Sequence, residues 1–249
     1  MSILPLATGK LQVSVPEGEG GGPVAEGNKV TLTVPVDITN DGYFNIEDLT
    51  VRFRVADRGV VLTEQSSVPV DVIAGRTNHL NLTITLDMDT ISEERLKDLV
   101  FNSTTLDLNV GVEAGYSLGL VKASISTNQQ MEWHPMVSNV SIDTSNIQWH
   151  NNGTSMDLLV PYSFDASEFA QGKAVGMQAT LMNSTAVLGT ASQELTVGPH
   201  NSGQFRFVVS QQAFQWLQSH PEALTIGADL SLMGATMHFS RSIPSGGLT

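Results

Sequence analysis

Alternating apolar and polar residues mark the longest predicted strand of the chain, and the same alternation returns 126 residues later. Placing residues 30–62 over residues 156–188 makes the apolar positions coincide. The coincident pairs are Val30 and Met156, Leu32 and Leu158, Val34 and Val160, Val36 and Tyr162, Ile38 and Phe164, and the prolines Pro35 and Pro161. A period of two is typical of a strand with one buried face. Its recurrence, with a proline at the same step, predicts two tandem β domains of common ancestry.

Further short strands are predicted around this repeat. In copy one they lie at residues 11–15, 29–39, 49–55, 60–63, 68–73, 79–86, 105–114 and 118–124. Copy two follows the same order, with strands at residues 137–142, 155–164, 177–181, 205–209, 224–232 and 236–240. Glycine-containing turn signals such as Asp57-Arg58-Gly59 separate neighbouring strands. Short strands at this spacing are typical of antiparallel sandwiches.

One helix is predicted in each copy, at an equivalent place in the strand order. In copy one Leu96, Leu99 and Val100 have helical spacing, and Ser92 precedes them as the N-cap. In copy two the helical spacing falls within residues 211–219, and Pro221 ends it. The sequence therefore predicts an all-β chain of two tandem immunoglobulin-like antiparallel β-sandwiches, each with one short helix, in residues 1–129 and 130–249.

One segment of copy one carries a more specific order of residues. A strand ends at a turn centred on Asn40, the aromatic Phe44 and then Ile46 follow, and Leu49 opens the next strand at residues 51–55. This order resembles the late-embryogenesis-abundant type 2 domain, also called the water-stress and hypersensitive-response domain, over most of copy one in pattern. The resemblance implies an immunoglobulin-like sandwich with one helix near the end of the domain. It also implies no enzymatic activity and anchoring at a membrane by one N-terminal helix.

Composition narrows the classes of partner. The formal net charge of −13 at pH 7 argues against nucleic acid and against a basic membrane-docking patch, because both need clustered Lys and Arg. Cysteine is absent, which excludes disulfides, thiolate metal sites and a cysteine nucleophile. No apolar stretch reaches the roughly 18 residues that a membrane-spanning helix needs.

Two features of the sequence bear on location. Five Asn-x-Ser/Thr sequons, which matter only outside the cytoplasm, lie at Asn81, Asn102, Asn139, Asn152 and Asn183. The first eleven residues have no signal-peptide pattern and run almost at once into a strand. We therefore expect an extracytoplasmic protein that associates with a membrane through an anchor segment absent from this chain. A short native cytoplasmic start is the alternative.

The sharpest candidate for a metal site overlaps the end of the longest strand. Oxygen-bearing residues have the spacing of a calcium loop there, with Gly42 at the sixth position and the main-chain carbonyl at the seventh; they are Asp37, Thr39, Asp41, Tyr43, Asn45 and Asp48. The flanking segments, however, have strand rather than helix periodicity, and copy two carries Glu168 in place of the glycine. We therefore expect an Asx-type turn between two strands and no metal site.

The other candidate groups do not indicate a metal site or a catalytic site. Asp87 and Asp89 are expected to end a strand and favour the start of a helix. The dipeptides Trp133-His134 and Trp149-His150 lack a third metal ligand and are expected to serve in packing. Exposed turns or edges are expected for the isolated histidines His79, His200, His220 and His238. No serine lies in a Gly-x-Ser-x-Gly pattern on a strand-to-helix elbow, because the stretch Gly115–Gly119 falls in the predicted hairpin between the strands at residues 105–114 and 118–124. We therefore expect no catalytic residue and no cofactor.

The expected function is a non-catalytic, membrane-proximal, extracytoplasmic binding or structural module. Its expected partner is a surface protein or an apolar ligand, and not nucleic acid. Two alternatives stay open: a subunit of a surface filament or layer, in which tandem sandwiches present edge strands for assembly, and a soluble cytoplasmic stress-protective protein.

Overall fold

The computed structural model describes residues 11–16, 24–43, 45–116, 121–219 and 224–243, which fall in two compact units. The first unit consists of Met1–Ile91 and Ser103–Trp133, and the second of Ser92–Asn102 and His134–Thr249. Several positions used in the sequence predictions lie outside the described residues: the first ten residues, Phe44, part of the strand at 118–124, His220 and Pro221.

The first unit has nine strands within the described residues. They are β1 (Leu11–Ser14), β2 (Val24–Glu26), β3 (Lys29–Asn40), β4 (Ile46–Asp57), β5 (Val60–Ser66), β6 (Val70–Val72), β7 (Arg76–Asp87), β8 (Thr104–Tyr116) and β9 (Val121–Trp133). In one sheet β1 and β2 pair with the two ends of β3, and β7 pairs along its whole length. The other sheet has the order β5-β4-β8-β9, and β6 also pairs with β4. All these pairings are antiparallel.

The second unit repeats this strand order. Its elements are α1 (Glu93–Phe101), β10 (Val137–Ile142), β11 (Gln148–Asn151), β12 (Ser155–Ala166), β13 (Ala174–Met182), β14 (Val187–Thr196), β15 (His200–Ser210), α2 (Gln211–Ser219), β16 (Leu224–Leu232) and β17 (Ala235–Ile243). One sheet joins β10 and β11 to β12, which also pairs with β15, and the other has the order β14-β13-β16-β17. The prediction of an all-β chain of tandem immunoglobulin-like antiparallel sandwiches is therefore confirmed. The division into two copies of common ancestry, at residues 1–129 and 130–249, stays a prediction. The two compact units have other boundaries, because residues 92–102 belong to the second unit.

The core of each unit is built from one face of its long strands. In β3 every second residue from Val30 to Ile38 is buried, and in β12 the same holds from Met156 to Phe164. These are the positions that the repeat superimposes. Burial of one face removes large aliphatic and aromatic surfaces from water, which is the main favourable term in folding.

Both predicted helices form, but the first belongs to the second unit. Helix α1 packs against β17 and β10, and Leu96, Leu99 and Val100 of its predicted apolar stripe are buried. A Cβ placed on Gly234, in the β16–β17 turn, would lie 3.8 Å from Cδ2 of Leu96. Helix α1, which lies between β7 and β8 in the chain, thus completes the core of the second unit. Helix α2 packs on β15 and β12.

Two predicted turns have the expected local chemistry. At the end of β3 the buried Asn40 accepts a hydrogen bond at Oδ1 from the Gly42 amide at 3.0 Å, which is an Asx turn. Between β4 and β5, Arg58 and Gly59 have φ values of +48° and +80°. Positive φ at both central residues is typical of a hairpin turn that matches strand twist.

A close approach between facing residues explains a glycine in β15. Gly203 is directly opposite Tyr162 in the register, and a Cβ on Gly203 would lie 2.7 Å from Cζ of the tyrosine ring. The Tyr162 hydroxyl extends to Gln193 of β14 and accepts a hydrogen bond from its Nε2, linking the two sheets of the unit. Burial raises the pKa of Tyr162, although the hydrogen bond from Gln193 acts in the opposite direction.

We expect Gly203→Ala to lower the free energy of unfolding by about 1–3 kcal/mol, because the new methyl group overlaps the Tyr162 ring. Chemical denaturation followed by circular dichroism measures the change. Ser202→Ala, at an exposed neighbouring position on β15, is the matched control and should have little effect. Equal denaturation midpoints for the two variants would contradict the packing of Tyr162 over Gly203.

Candidate functional site

The residues of the candidate calcium loop are distributed along a strand and its turn, where most have protein partners. Asp37 is on the outward face of β3, and its Oδ1 lies 2.6 Å from Nδ1 of His79. The Thr39 hydroxyl lies 2.8 Å from that of Thr77, and Asn45 Oδ1 accepts a hydrogen bond from the Ala74 amide at 3.0 Å.

The remaining loop positions have different surroundings. Asp41 is exposed, and the Tyr43 side chain is in solvent with 85% of its surface exposed. Asp48 has a φ of +54°, and its amide donates to Asp71. Within the described part of the chain no group of three or more His, Cys, Asp or Glu residues is close enough to hold a metal ion.

Three of the histidines expected at isolated positions are paired with aspartates across neighbouring strands. His79 faces Asp37, His200 faces Asp165 at 2.7 Å, and His238 faces Asp229 at 2.8 Å (Nδ1 to Oδ1 in each pair). The histidines are exposed as predicted, but they are not isolated. Hydrogen bonds from Asn139 and then His200 lower the pKa of Asp165. These pairs lie on outward sheet faces, where they stabilise strand register.

The Trp-His dipeptides contribute their indoles to packing. Trp133 is buried at the end of β9, and the ring of Trp149 lies 4.8 Å from that of Phe214 in α2. Their histidines, His134 and His150, are exposed. Asp87 caps a short 3-10 turn at Met88–Thr90 through a hydrogen bond from the Asp89 amide.

A buried carboxylate that sequence reasoning did not single out lies on β12. Asp157 is only 6% exposed, and its Oδ2 accepts hydrogen bonds from Asn152 at 2.7 Å and from Nη2 and Nε of Arg206 at 2.6 and 2.9 Å. Its Oδ1 is buried and has no hydrogen-bond partner among the described residues. The hydrogen bond from Asn152 is the main cause that lowers the pKa of Asp157, and Arg206 adds to it against the effect of burial. This is a charged network in which the arginine stays in contact with water.

A polar cleft of about 580 Å³ lies on the outward face of the β4-β8-β9 strands in the first unit. Its polar lining comes from side chains that face each other across three strands: Arg54, Asp107, Asn109, Asn128 and Gln130. Asn109 donates to Asn128 at 2.5 Å, and Gln130 donates to Asp107 at 3.4 Å. Among the described residues Arg54 makes no ion pair, whereas Arg52 on the same strand lies 3.4 Å from Glu113 and 3.9 Å from Glu64. Gly59, in the β4–β5 turn, also lines the cleft.

No signal in the sequence identifies this cleft. Arg54, Asp107 and Asn109 are in predicted strands, but Asn128 and Gln130 lie beyond the predicted strand at residues 118–124, which the structure extends to Trp133. Cross-strand register decides which outward residues meet, and residues 54, 109 and 128 are far apart along the chain. Within the described residues no helix has the length and apolar character needed to cross a membrane.

Comparison with known proteins finds only distant structural matches. No family model matches the sequence, and no curated protein matches it. Solved structures that match include red sea bream transglutaminase (TM-score 0.37, 13% identity, 94% of this chain and 31% of that chain) and a putative beta-galactosidase from Bacteroides fragilis (0.34, 10%, 94% and 41%). A glycosyl hydrolase family 2 member from Bacteroides cellulosilyticus matches with a TM-score of 0.32 and 9% identity, over 88% of this chain and 29% of that one. The chain spans less than half the length of these solved chains, and values this low carry no argument about activity.

The Asp157 network predicts a pH-dependent stability. Because the folded pKa of Asp157 lies below its ordinary value of 3.8, the network stabilises the fold above that pH. The contribution is lost as the pH falls through the lower folded value. We expect Asn152→Ala to lower the free energy of unfolding at pH 7, and the difference from the parent chain to narrow towards pH 3 in denaturant titrations.

Asn151→Ala is the matched control for this titration. Asn151 is in the same turn and accepts a hydrogen bond from the Gly153 amide, but it does not contact Asp157. Its effect should therefore be the same at both pH values. A gap between Asn152→Ala and the parent chain that is constant from pH 7 to pH 3 would show that the hydrogen bond to Asp157 does not carry the pH dependence.

We also expect no micromolar calcium site at Asp37–Asp48. Asp37, Thr39 and Asn45 are held by His79, Thr77 and Ala74 on the strand and turn surface, so their oxygens do not converge on one cation. Isothermal titration with calcium chloride tests this expectation. A stoichiometric signal that disappears in Asp41→Ala or Asp48→Asn would contradict it.

Proposed function

We propose that this chain is a non-catalytic binding module, and that the polar cleft of the first unit is its binding surface. The observation that carries the proposal is the cross-strand row of Arg54, Asn109 and Asn128, with Asp107 and Gln130 in the next row. These groups provide both hydrogen-bond donors and hydrogen-bond acceptors on one concave face. Such a face suits a ligand that is polar along its whole length, such as a glycan or an extended peptide segment of a surface protein.

The strands that carry these groups hold the cleft in a fixed shape, which favours ligand binding. They are central or long paired strands of one sheet, so the cleft is held by many backbone hydrogen bonds and little ordering is needed when a ligand binds. Hydrogen bonds within the cleft already orient Asn109 and Asp107. Arg54 provides a guanidinium that is not committed to a carboxylate of the described chain, and it is therefore available to an acceptor on the ligand.

An extracytoplasmic, membrane-associated location is part of the proposal. The sequons support it, since Asn81, Asn102, Asn139 and Asn152 are exposed. Asn183 is half-buried, and its side chain closes the β13–β14 turn. Resemblance to the late-embryogenesis-abundant type 2 domain supports a non-catalytic role and an anchor segment outside this chain.

Binding to a printed array of glycans and of peptides tests the proposal. We expect the labelled full chain to bind a defined subset, and Arg54→Ala to weaken that binding about tenfold or more, because a hydrogen bond to a charged group is lost. Arg52→Ala is the matched control: it removes the same charge from the same strand, but Arg52 is ion-paired and does not line the cleft.

Three results would overturn the proposal. If Arg52→Ala and Arg54→Ala weaken binding equally, the effect is one of net charge rather than of the cleft. If neither changes it, the binding surface lies elsewhere. Chemical turnover of an arrayed compound by the parent chain would show that the protein is a catalyst.

A further inference from the structure

An exposed tryptophan on α2 borders a second cleft, which lies wholly within the second unit. The cleft has a volume of about 410 Å³. Trp216 is 39% exposed, and it shares the cleft wall with Leu188 and Ala213. The other lining side chains are neutral hydrogen-bonding groups: Asn183, Thr185, Ser210 and Gln212.

Two other residues of α2 pack it against the second unit. Leu217 is fully buried, and Phe214 packs its ring against Trp149 at 4.8 Å, so these two side chains hold the helix on its unit. Aligning the nine-residue helices α1 and α2 at their first residues places Phe214 and Leu217 on the buried Leu96 and Leu99.

The same alignment places Trp216 on Asp98, which is a polar and partly exposed position of α1. The large aromatic side chain therefore stands at a solvent-facing position of the helix. Part of the indole is accessible from the cleft, and a partly exposed indole is a frequent anchor for a ligand.

Both walls of the cleft are ordered before any ligand arrives. On one side Asn183 Oδ1 accepts hydrogen bonds from the Ala186 amide at 2.7 Å and the Thr185 amide at 3.0 Å, which closes the β13–β14 turn. On the other side Ser210 Oγ accepts from the Ala213 amide at 3.2 Å at the start of α2. A preformed site loses little conformational entropy on binding.

The lining selects the chemistry of the ligand. No lining residue carries a formal charge, and the chain as a whole is strongly acidic, so an anionic ligand would meet repulsion and find no cation. A purely apolar ligand would leave the amide and hydroxyl groups without partners, which is costly when they are desolvated. A pyranose ring is uncharged and has polar groups, so it meets both requirements. Its C–H face can stack on the indole, and its hydroxyl groups can donate hydrogen bonds to the amide side chains and accept hydrogen bonds from them.

We propose that this cleft is a subsite for a neutral saccharide, with Trp216 as the stacking platform and Gln212 as a hydrogen-bonding partner. The inference rests on the second unit alone and is independent of the polar cleft of the first unit. It adds a site and a ligand class to the binding role proposed above.

Titration calorimetry of the full chain with four neutral hexasaccharides tests the inference: maltohexaose, cellohexaose, laminarihexaose and mannohexaose. We expect one or more of them to bind. Trp216→Ala should then weaken binding about tenfold or more, because the stacking surface is lost, whereas Trp216→Phe should keep most of it. Gln212→Ala should weaken binding a few fold.

Gln215→Ala is the matched control on the same helix. Gln215 is exposed but does not line the cleft, so its substitution should leave the affinity unchanged. Arg54→Ala should also bind as the parent chain does, which separates this site from the cleft of the first unit. Circular dichroism of each variant establishes that the sandwich is intact, and Trp216→Phe and Gln212→Ala keep the test valid if Trp216→Ala does not fold.

Absence of binding by all four saccharides at millimolar concentration would overturn the inference. Binding that is unchanged in Trp216→Ala would place the saccharide elsewhere and would also overturn it. Sedimentation velocity tests for self-association of the parent chain. Self-association that disappears in Trp216→Ala would assign the exposed indole to a protein contact and would overturn the saccharide inference.

Discussion

Burial of one face of the long strands is the constraint on which the rest of this structure depends. Every second residue of β3 and β12 is inside a sandwich, so a shift of one residue in the pairing would expose the whole apolar set. This requirement holds the register of the paired strands. It also places the tight contact between Tyr162 and Gly203, where the inner face leaves no room for a Cβ. The turns at Asn40 and at Arg58-Gly59 then have to close the strands without changing that register.

The same constraint leaves the outward faces free to carry chemistry. Once register is held, side chains at alternate positions of neighbouring strands meet in rows, as the three Asp-His pairs and the row of Arg54, Asn109 and Asn128 do. Substitution in these rows costs the core little, because the side chains do not contribute to it. A surface of this kind can change its ligand while the sandwich stays the same. It is consistent with the proposed binding role, in which the fold positions the groups that recognise a ligand.

The two copies differ most in their helices. Helix α1 buries its apolar stripe in the second unit, whereas α2 buries Leu217, keeps Phe214 half-buried against Trp149 and presents Trp216 to solvent. The two helices occupy equivalent slots in the sequence but have different neighbours. The two units thus carry surfaces of different character: a charged and amide-lined cleft in the first unit, and a neutral cleft with an exposed indole in the second.

Local patterns in the sequence determined most of the strands, the glycine turns, both helices and the sandwich class, because each depends on residues within a few positions of one another. The strands β2, β11 and β14 and the second half of β9 were not predicted. The alternation of Val30–Ile38 and its return in Met156–Phe164 are the clearest examples. Tertiary structure alone decided that His79 meets Asp37, that Arg206 and Asn152 share the carboxylate of Asp157, and that α1 joins the second unit. It also decided which side chains form the two clefts. Apolar periodicity specifies the face of a strand on which a residue lies, but the partner across the sheet depends on register and strand order, which bring together residues far apart in the chain.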